Sequence, residues 1–472
     1  MIDRRSLLLT GLATGACTAA GPVSLSAPRP DLVADLHERS FRFFWDTTDH
    51  RTGLALDRWP TPSFSSIAAI GFALTAYPVG VANGWITRAA AAERTLNTLR
   101  FLWNLPQGPA PSGTAGYKGF FYHFLDAKTG LRYRTNELSS IDTTLLMGGV
   151  LFARAWFDRP AEAEIRDLAT KLFDRVEWPF FQDQQAAGDP RLSMGWSPEH
   201  GFIPRRWYGY TEAMLAYVMA LGSETHDIRS ATWDAWTATY GPQWRDSAAG
   251  RFLSFGPQFG HQYSHVWVDF RGIRDAPMRA ANMDYFENSR RATLAQRAYA
   301  VANPMGWRGY GADTWGLTAC DGPGDFSATI NGRPRTFFGY AARGPMGQHD
   351  ERDDGTIAPT AAAASMPFAP EIVEPAIRSL HRDYGAGIWG QYGFIDAFNP
   401  TLRDPATKVQ KGRIVPGLGW VDEDYLGIDQ GPIVAMIENH RSGMVWQAMR
   451  GDRVIRRGLL RAGFTGGWLD AR

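Results

Sequence analysis

The sequence predicts an all-α protein, an (α/α)6 toroid of six helical hairpins with loop and small β-hairpin insertions. From Asp31 onward, segments with helical apolar periodicity recur, and Gly- and Pro-rich loops separate them. Twelve such segments at this spacing suggest six hairpins. The predicted helices are about 31–47, 64–80, 87–104, 139–157, 161–175, 211–221, 228–239, 258–271, 281–302, 358–366, 370–383 and 429–449.

Strand-like stretches are short and lie between the predicted helices, at 117–124, 131–134, 252–255 and 335–340. They do not alternate with helices as a parallel sheet requires. The Gly- and Pro-rich stretch 303–359 has few helix signals, and connections of that length in a compact domain are usually functional. We therefore expect residues 31–472 to form a single catalytic toroid decorated by loops.

Residues 1–30 have the pattern of an export signal, which we expect to be processed. Arg4-Arg5 precedes an apolar stretch and then small residues, a twin-arginine-like arrangement, and the apolar run is too short for a durable membrane span. Residues 14–17 resemble a lipoprotein cleavage box, so Cys17 is a candidate for lipidation and membrane attachment. The remaining Cys320 then has no intrachain disulfide partner. We expect a periplasmic or secreted, lipid-anchored or free, monomeric protein.

Composition and charge describe an ordinary globular chain with a neutral partner. Lys+Arg 49 against Asp+Glu 48 gives a formal net charge of +1, so no global field attracts nucleic acid or an anionic membrane. There is no G-x-S-x-G elbow, Walker motif or dinucleotide fingerprint followed by the right helix. Among the functions that this charge and these missing motifs still allow, we favour hydrolysis of a neutral polymer.

Residues 207–212 read Trp-Tyr-Gly-Tyr-Thr-Glu and lead into an apolar, helix-like run. Glu212 is therefore expected in the first turn of a helix, behind three rings. Apolar walls raise the pKa of a carboxyl and a helix N-terminus lowers it, so the sequence leaves the balance open. One interpretation is an acid catalyst; the other is a helix start with Thr211 as its cap.

The chain has 18 Trp, 16 Tyr and 27 Phe, and many of these rings lie in Gly-rich or acidic segments. Such rings favour a lined cleft for sugar faces, although core packing is the simpler role for any one of them. The candidate substrate-binding rings are Trp207, Tyr208, Tyr210, Trp267, Trp389, Tyr392 and Phe394.

Four further acidic residues lie in informative contexts. Glu137 and Asp142 bracket the start of an apolar helix, Asp429 opens the last long helix, and Asp396 lies in a loop of rings. Glycoside hydrolysis needs one carboxyl to protonate the leaving oxygen and a second to activate water or attack carbon. Glu212 paired with Asp142 or Asp396 would fit, whereas helix capping is the alternative for Glu137, Asp142 and Asp429.

His261, His265 and Asp269 recur at i, i+4 and i+8, which could place all three on one helix face. A metal site would use such spacing, but the Glu of an H-E-x-x-H pair is missing. Hydrogen bonding to substrate through His261 and His265 and a purely structural role are the other interpretations.

Several spaced motifs resemble the bacterial glucoamylase-like group that includes glycoside hydrolase family 144. The matching stretches are 41–45 (FRFFW), 137–146 (ELSSIDTTLL), 207–214 (WYGYTEAM), 221–223 (LGS), 392–399 (YGFIDAFN) and 427–433 (GIDQGPI). They occur in order over nearly the whole mature chain.

The resemblance implies an (α/α)6 toroid, anomer-inverting attack on β-1,2-linked glucose, and no metal or organic cofactor. Glu212 matches the family's proposed acid. Asp396 is our first choice for the carboxylate that activates water, directly or through a substrate hydroxyl, and Asp142 is the second. Glu137, Asp429 and Gln430 are expected to contact substrate.

The leading hypothesis is thus a glycoside hydrolase that cleaves β-1,2-glucan or its oligosaccharides. A carbohydrate-binding lipoprotein without turnover would keep the rings but would not need converging carboxylates. A metal-assisted lyase or isomerase on the same toroid would use His261, His265 and Asp269.

Overall fold

The computed structural model describes residues 31–182, 188–347 and 352–470. Its helices, numbered in chain order, are α1 (Leu32–Thr47), α2 (Ile67–Ala82), α3 (Arg88–Asn104), α4 (Ser140–Trp156), α5 (Ala163–Asp174), α6 (Met214–Gly222), α7 (Ala231–Thr237), α8 (Tyr263–Trp267), α9 (Ala276–Ala280), α10 (Tyr285–Ala302), α11 (Pro359–Ala363), α12 (Pro370–Ile388), α13 (Gly427–Arg441), α14 (Met444–Arg450), α15 (Arg453–Arg461) and α16 (Gly467–Asp470). Short 3₁₀ helices cover Pro160–Glu162, Trp178–Gln182, Ala238–Gln243 and Gln258–His261.

Six of these helices form an inner ring. α2 packs on α4 and α13, α4 on α6, α6 on α8, and α11 on α13. Between α8 and α11, the Gln262 side chain donates to the Ala361 carbonyl at 3.0 Å. Every residue of α6, α8 and α11 is buried, which is the property of helices that are apolar all round and enclosed by protein.

The outer helices alternate with the inner ones along the chain. α1 packs on α2 and α13, α3 and α5 pack on each other beside α2 and α4, and α12 packs on α11. α1, α5 and α12 each bury one apolar face, as surface helices do. The alternation of outer and inner helices from α1 to α13 confirms the predicted helical toroid.

Helix prediction was accurate where periodicity was strong and less so at short inner helices. The segment predicted at 258–271 is a 3₁₀ turn followed by the five residues of α8. The segment predicted at 429–449 starts earlier, at Gly427, and is interrupted between α13 and α14 by Gly443, which has φ 69°. α9, α15 and α16 were not predicted.

The strands are two to five residues long and pair only as small antiparallel sheets. They are β1 (Arg58–Trp59), β2 (Ser65–Ser66), β3 (Gly116–Tyr117), β4 (Phe120–Phe121), β5 (Phe124–Leu125), β6 (Leu138–Ser139), β7 (Gly195–Ser197), β8 (Gly201–Phe202), β9 (Trp244–Arg245), β10 (Phe252–Leu253), β11 (Ala319–Cys320), β12 (Phe326–Ile330), β13 (Arg333–Phe337), β14 (Ala341–Ala342), β15 (Trp389–Gly390), β16 (Gly393–Phe394), β17 (Phe398–Asn399), β18 (Arg413–Val415), β19 (Gly419–Val421) and β20 (Tyr425–Leu426). The strand predicted at 131–134 is absent apart from one bridge between Arg132 and Leu125.

Several of these sheets lie directly before inner helices. β2 ends where α2 begins, β6 where α4 begins and β20 where α13 begins. β1 pairs with β20, and β2 pairs with β5, so the loops before three inner helices are tied together at one end of the ring. In the parts of the chain that the structure describes, no helix is both long and apolar enough for a membrane crossing.

Candidate active site

The turn before α6 positions Glu212. Gly209 has φ +67°, and a Cβ there would lie 2.2 Å from Gln243 Oε1, so both the backbone conformation and the close packing favour glycine. The Gly209 amide donates to Thr239 Oγ1 at 2.7 Å, which ties the turn to the 3₁₀ helix after α7. This turn buries Tyr210 and leaves Tyr208 41% exposed.

Glu212 lies before the helix rather than in its first turn. α6 begins at Met214, and Thr211 Oγ1 accepts only from the Ala213 amide, at 3.2 Å. The Glu212 carbonyl accepts from Ser264 Oγ at 3.0 Å, which fixes the residue to α8. The predicted helix start was therefore about three residues early, and the described structure shows no side-chain cap at this helix that would explain Glu212.

Glu212 is 7% exposed, and its carboxyl oxygen Oε2 is buried with no hydrogen-bond partner among the described residues. Burial raises the pKa of Glu212 to about 7, and the nearby Asp142 charge acts in the same direction. A carboxyl with this pKa is partly protonated at neutral pH, which is the state a proton donor needs.

Two cavities meet at Glu212. The first, of about 260 Å³, is lined by Asp57, Arg58, Phe64, Ser66, His123, Phe124, Ile141, Asp142, Leu145, Glu212, Phe259, Tyr263, Ala319, Tyr340, Leu426 and Ile428. The second, of about 540 Å³, is lined by Arg191, Met194, Arg205, Arg206, Trp207, Tyr208, Thr211, Glu212, Phe255 and Phe259. Glu212 and Phe259 belong to both, so a chain-like ligand could lie on both sides of this carboxyl.

Aromatic rings form much of the wall of the first cavity. Phe64 lies against Phe124 and Tyr133, with ring centroids 4.2 and 4.8 Å apart. Tyr340 is 56% exposed, an unusual exposure for a ring in a cavity wall. Half-exposed rings beside carboxyls offer flat apolar faces together with polar groups, as ligand sites for amphipathic molecules commonly do.

His123 joins two predicted acidic residues in the first cavity. Its Nδ1 lies 2.9 Å from Glu137 Oε1, and its Nε2 lies 3.4 Å from Asp142 Oδ1. Although burial lowers the pKa of His123, the charges of Asp142 and Glu137 outweigh it and raise that pKa to about 9. The imidazole is thus a cation between two carboxylates at neutral pH.

Asp142 is held from a second side by the start of α4. Ser139 caps that helix by accepting from the Asp142 amide at 3.1 Å, and its hydroxyl donates to Asp142 Oδ2 at 2.5 Å. Burial raises the pKa of Asp142, and the His123 charge opposes that rise. Ser139, rather than Glu137 or Asp142, therefore caps this helix, and the Asp142 side chain lines the cavity.

Asp396 and Asp429 form a buried pair. Asp396 is 1% exposed, its Oδ2 accepts from the Asp321 amide at 2.7 Å, and the charge of the neighbouring Asp429 acts on it. Burial, followed by the charge of Asp429, raises the pKa of Asp396 well above its usual range, and burial raises the pKa of Asp429 to about 7. Two neighbouring carboxyls that both resist ionisation can hold one proton between them.

Two cations offset part of the negative charge around this pair. Arg58 Nη1 lies 2.6 Å from Asp321 Oδ2, and Arg58 Nε lies 3.2 Å from Asp57 Oδ2. Lys411 Nζ contacts Asp321 and lies 2.8 Å from Asp424 Oδ2. Arg58 and Asp57 also line the first cavity, so the network reaches from the Asp396–Asp429 pair to the cavity wall.

One group among the described residues has the composition of a cation site. Asp321, Asp396 and Asp422 offer carboxylate oxygens that all lie within 4.8 Å of one another, a ligand type that Ca²⁺ and Mg²⁺ prefer. Lys411 Nζ lies 3.8 Å from Asp422 Oδ1 and contacts Asp321, so a protein cation already occupies part of this neighbourhood.

The predicted substrate-binding rings divide into three sets. Trp207 and Tyr208 line the second cavity. Tyr210 stacks on Tyr285, and Trp267 stacks on Phe72 and donates from Nε1 to Thr75, so both lie in the core. The remaining three lie outside both linings: Phe394 is buried, Tyr392 packs on Phe43 and Tyr425, and Trp389 packs on Phe394 and His381.

His261 and His265 are fully buried, in contrast to the prediction that they face substrate. Burial lowers the pKa of each to about 3, so both are neutral, and both lie near Ser289 Oγ, at 3.5 and 3.1 Å. Asp269 lies apart from them, paired with Arg271 at 2.8 Å and with Arg450. The three residues do not converge on a metal site.

Two other predicted contacts also lie beneath the surface. Gln430 is buried and donates to the Phe394 carbonyl at 2.9 Å, and Asp429 is buried against Asp396. Glu137 stays half-buried beside His123. Cys17 lies outside the described residues, and the buried Cys320 is a free cysteine.

Sequence reasoning missed most of the charged partners, namely Asp57, Arg58, His123, Asp321, Lys411, Asp422 and Asp424. One signal was available, because Asp422 and Asp424 lie in an acidic run next to Trp420 and Tyr425. The others are isolated in the sequence, and only the fold brings them together.

A helical toroid with several carboxyls in and beside an aromatic-lined cavity has the features of a glycoside hydrolase. The glycoamylase family model, described as "Putative glucoamylase", matches residues 204–453. The chain belongs to this bacterial glucoamylase-like family, which is related to glycoside hydrolase family 144.

Three relatives illustrate the similarity. The exo β-1,2-glucooligosaccharide sophorohydrolase of Parabacteroides distasonis is 28% identical over 91% of this chain, which spans only 57% of that protein's length. A structure of the endo-β-1,2-glucanase from Chitinophaga pinensis, a complex with sophorotriose and glucose, has TM-score 0.77 and 27% identity and covers 93% of this chain and 98% of its own. A Bacteroides uniformis structure with the same description as the family has TM-score 0.77, 31% identity and the same two coverages.

Proposed function

We propose that the protein is an anomer-inverting glycoside hydrolase that cleaves β-1,2-glucan or β-1,2-gluco-oligosaccharides, with Glu212 as general acid. The observation that carries the proposal is the position of Glu212, a buried carboxyl with a pKa of about 7 where two cavities meet. The names of the sophorohydrolase and the endo-β-1,2-glucanase support the linkage.

In this mechanism the glycosidic oxygen lies at the junction of the two cavities. Glu212 donates its proton to that oxygen as the bond to the anomeric carbon breaks, and water attacks the same carbon from the opposite face. The free Oε2 atom supports this role, because no group of the described protein competes with substrate for it.

Asp396 receives the proton from water in the state in which the proton held by the Asp396–Asp429 pair lies on Asp429. Asp396 is 1% exposed and does not line the first cavity, so a substrate hydroxyl or an ordered water carries the proton between the attacking water and Asp396. Asp142 is the rival base, because it lines the cavity itself and its charge acts on Glu212.

Exchange of each candidate base for its amide separates the two. If Asp396 accepts the proton, Asp396→Asn loses about 10²- to 10⁴-fold in kcat. Asp142→Asn then retains more activity, since Asp142 acts only through charge and position. The reverse order would make Asp142 the base.

Substrate recognition by this site is mostly apolar and aromatic. Tyr340, Phe64 and Phe124 offer ring faces in the first cavity, and Trp207 and Tyr208 offer them in the second. Rings bind sugar faces without requiring charge on the substrate. This arrangement suits a neutral glucan.

The central experiment incubates the protein with linear β-1,2-glucan, β-1,3-glucan and an α-glucan and follows product size and anomeric form. We expect products from β-1,2-glucan alone, released as the α-anomer. Glu212→Gln should lower kcat by about 10²- to 10⁴-fold. Glu164→Gln, the same exchange at an exposed glutamate paired with Arg100, should leave kcat unchanged.

Three results would contradict the proposal. Retention of the β-anomer would exclude inversion, and an active Glu212→Gln variant would exclude this residue as the acid. Binding of β-1,2-glucan with no release of product by the unmodified protein would favour a carbohydrate-binding role.

A further inference from the structure

A third cavity, separate from Glu212, collects arginines. It has a volume of about 590 Å³ and is lined by Gly306, Arg308, Ala328, Thr329, Ile330, Asn331, Arg333, Arg335, Thr401, Leu402, Arg403, Asp404 and Thr407. The β12–β13 hairpin forms one wall and the loop after β17 forms another. Four of its lining residues are arginines and one is acidic.

These arginines have no carboxylate partner. Among the described residues, no carboxylate oxygen lies within ion-pair distance of Arg308, Arg333, Arg335 or Arg403, whereas Arg58 and Arg343, for example, are paired. Asp404 uses a side-chain oxygen to accept from the Ala406 amide at 2.9 Å. The cavity therefore carries a net positive charge that the protein itself does not neutralise.

The local geometry brings the guanidinium groups together. Arg333 and Arg335 are two residues apart on β13, so both side chains leave the same face of the strand. Their Nη atoms converge on Gly306, lying 3.5 and 3.9 Å from the position a Cβ would take there.

Only some of the hydrogen-bond donors of the Arg335 guanidinium have partners. Its Nη2 donates to the Met305 carbonyl at 2.7 Å and its guanidinium lies over the Trp307 ring, but its buried Nε has no partner among the described residues. On the opposite wall, burial lowers the pKa of Arg403 and the Arg308 charge lowers it further. Like charges held close together raise the free energy of the empty cavity, and an anion would relieve that repulsion.

We propose that this cavity binds a phosphoryl group carried on a small organic body. Arginine forks match the oxygens of phosphate in two-pronged hydrogen bonds, which neutral glucan does not need. Thr329, Thr401 and Thr407 supply hydroxyls, and Ala328, Ile330 and Leu402 supply an apolar surface for the organic part. The ligand is a soluble phosphate ester or the phosphoryl headgroup of a lipid.

Calorimetric titration of the full chain at low ionic strength tests the soluble source, with glycerol 3-phosphate and inorganic phosphate as probes and glycerol as the uncharged match. Flotation with vesicles of phosphatidylglycerol or of phosphatidylcholine tests the headgroup. We expect binding of a phosphoryl probe but not of glycerol, weakened by added salt because the attraction is between charges. Arg333→Ala/Arg403→Ala should weaken it at least about tenfold.

The matched control is Arg51→Ala/Arg378→Ala, which removes two exposed arginines elsewhere and lowers the net charge equally. Phosphoryl binding that survives in this control and is lost in the cavity variant supports the site. If the cavity variant loses binding only in the vesicle flotation, the ligand is the lipid headgroup. Failure of every phosphoryl probe to bind, or equal binding by both double variants, would overturn the proposal. Melting temperatures verify that each variant folds. If Arg333→Ala/Arg403→Ala does not fold, the single variant Arg333→Ala, on an exposed strand, replaces it.

Discussion

At the scale of single residues, Glu212 predicts the alkaline limb of the activity profile. A general acid works only while protonated, and the pKa of Glu212 is about 7, so kcat/KM should fall about tenfold per pH unit above that value. Because the Asp142 charge helps to raise this pKa, Asp142→Asn should move the limb to lower pH. The pH at which activity falls can be determined from the shape of the pH profile even if Asp142→Asn retains little activity. A limb that stays in place in Asp142→Asn would contradict the coupling.

His123 is expected to act by positioning Asp142 and Glu137. His123→Gln keeps a hydrogen-bonding side chain but removes the cation, so the two carboxylates lose their shared counter-charge. We expect kcat/KM to fall about 10- to 100-fold, by analogy with the loss of outer-shell partners at metal sites.

The stability of this variant should change with pH in a defined direction. The pKa of His123 is raised from 6.5 to about 9 in the folded protein, so its contribution is complete below about pH 6.5 and is lost as pH rises through about 9. Melting temperatures across this window should fall more steeply for the unmodified protein than for His123→Gln. Parallel curves would show that the imidazole is not charged in the folded state.

At the scale of elements, the turn at 207–212 decides where the acid points. Gly209→Ala meets two costs, a φ of +67° and a Cβ 2.2 Å from Gln243, whereas Gly201→Ala has φ +72° but open space around the new atom. The cost that both variants share, an alanine at positive φ, is about 1 kcal/mol of folding free energy. Gly209→Ala should therefore lose more stability than Gly201→Ala in denaturant unfolding and should also lower kcat by displacing Glu212. Equal losses of stability and of kcat in both variants would mean that the turn accommodates the new Cβ without displacing Glu212.

The same elements show what the sequence could predict. α2, α4 and α6 are long or strongly apolar, so their existence follows from composition, and Glu212 stands out because it directly precedes one of them. The fold places its helix start three residues later, since Gly209 and the contacts of the turn with Gln243 set the geometry of the turn. The Tyr210 amide, for example, donates to Gln243 across 33 positions, beyond the reach of local patterns.

The network around Asp396 could not be predicted from local patterns either, because its members are even farther apart in the sequence. Asp321 donates its amide to Asp396 across 75 positions, and Arg58 reaches Asp321 across 263. Periodicity carries no information about such pairs. Conversely, His261, His265 and Trp267 were conspicuous in the sequence, yet their side chains are buried in the core. His265 and Trp267 belong to α8, in which every residue is buried.

At the scale of the whole molecule, the toroid encloses several carboxyls whose pKa values burial raises, among them Glu212, Asp396 and Asp429. Each of them costs free energy when it ionises inside the fold, so the packed inner ring must supply the stability that these groups remove. A protein can keep such groups where catalysis requires them, at a cost in stability. This trade-off can be measured at Glu212, because its amide counterpart cannot ionise.

Glu212→Gln should therefore be more stable than the unmodified protein at alkaline pH and about equally stable in acid. The folded pKa of Glu212, about 7, lies above its ordinary 4.5, so its favourable contribution is complete below about pH 4.5 and is lost as pH rises through about 7. At 1.36 kcal/mol per pKa unit, the loss amounts to roughly 3 kcal/mol by about pH 8. Denaturant unfolding followed by circular dichroism at about pH 4.5 and about pH 8 measures it. Glu164→Gln, at an exposed glutamate whose pKa the Arg100 hydrogen bond lowers, should show no gain at the higher pH. If Glu212→Gln gains no stability there either, the Glu212 carboxyl ionises without cost and its assignment as a neutral-pH proton donor fails with it.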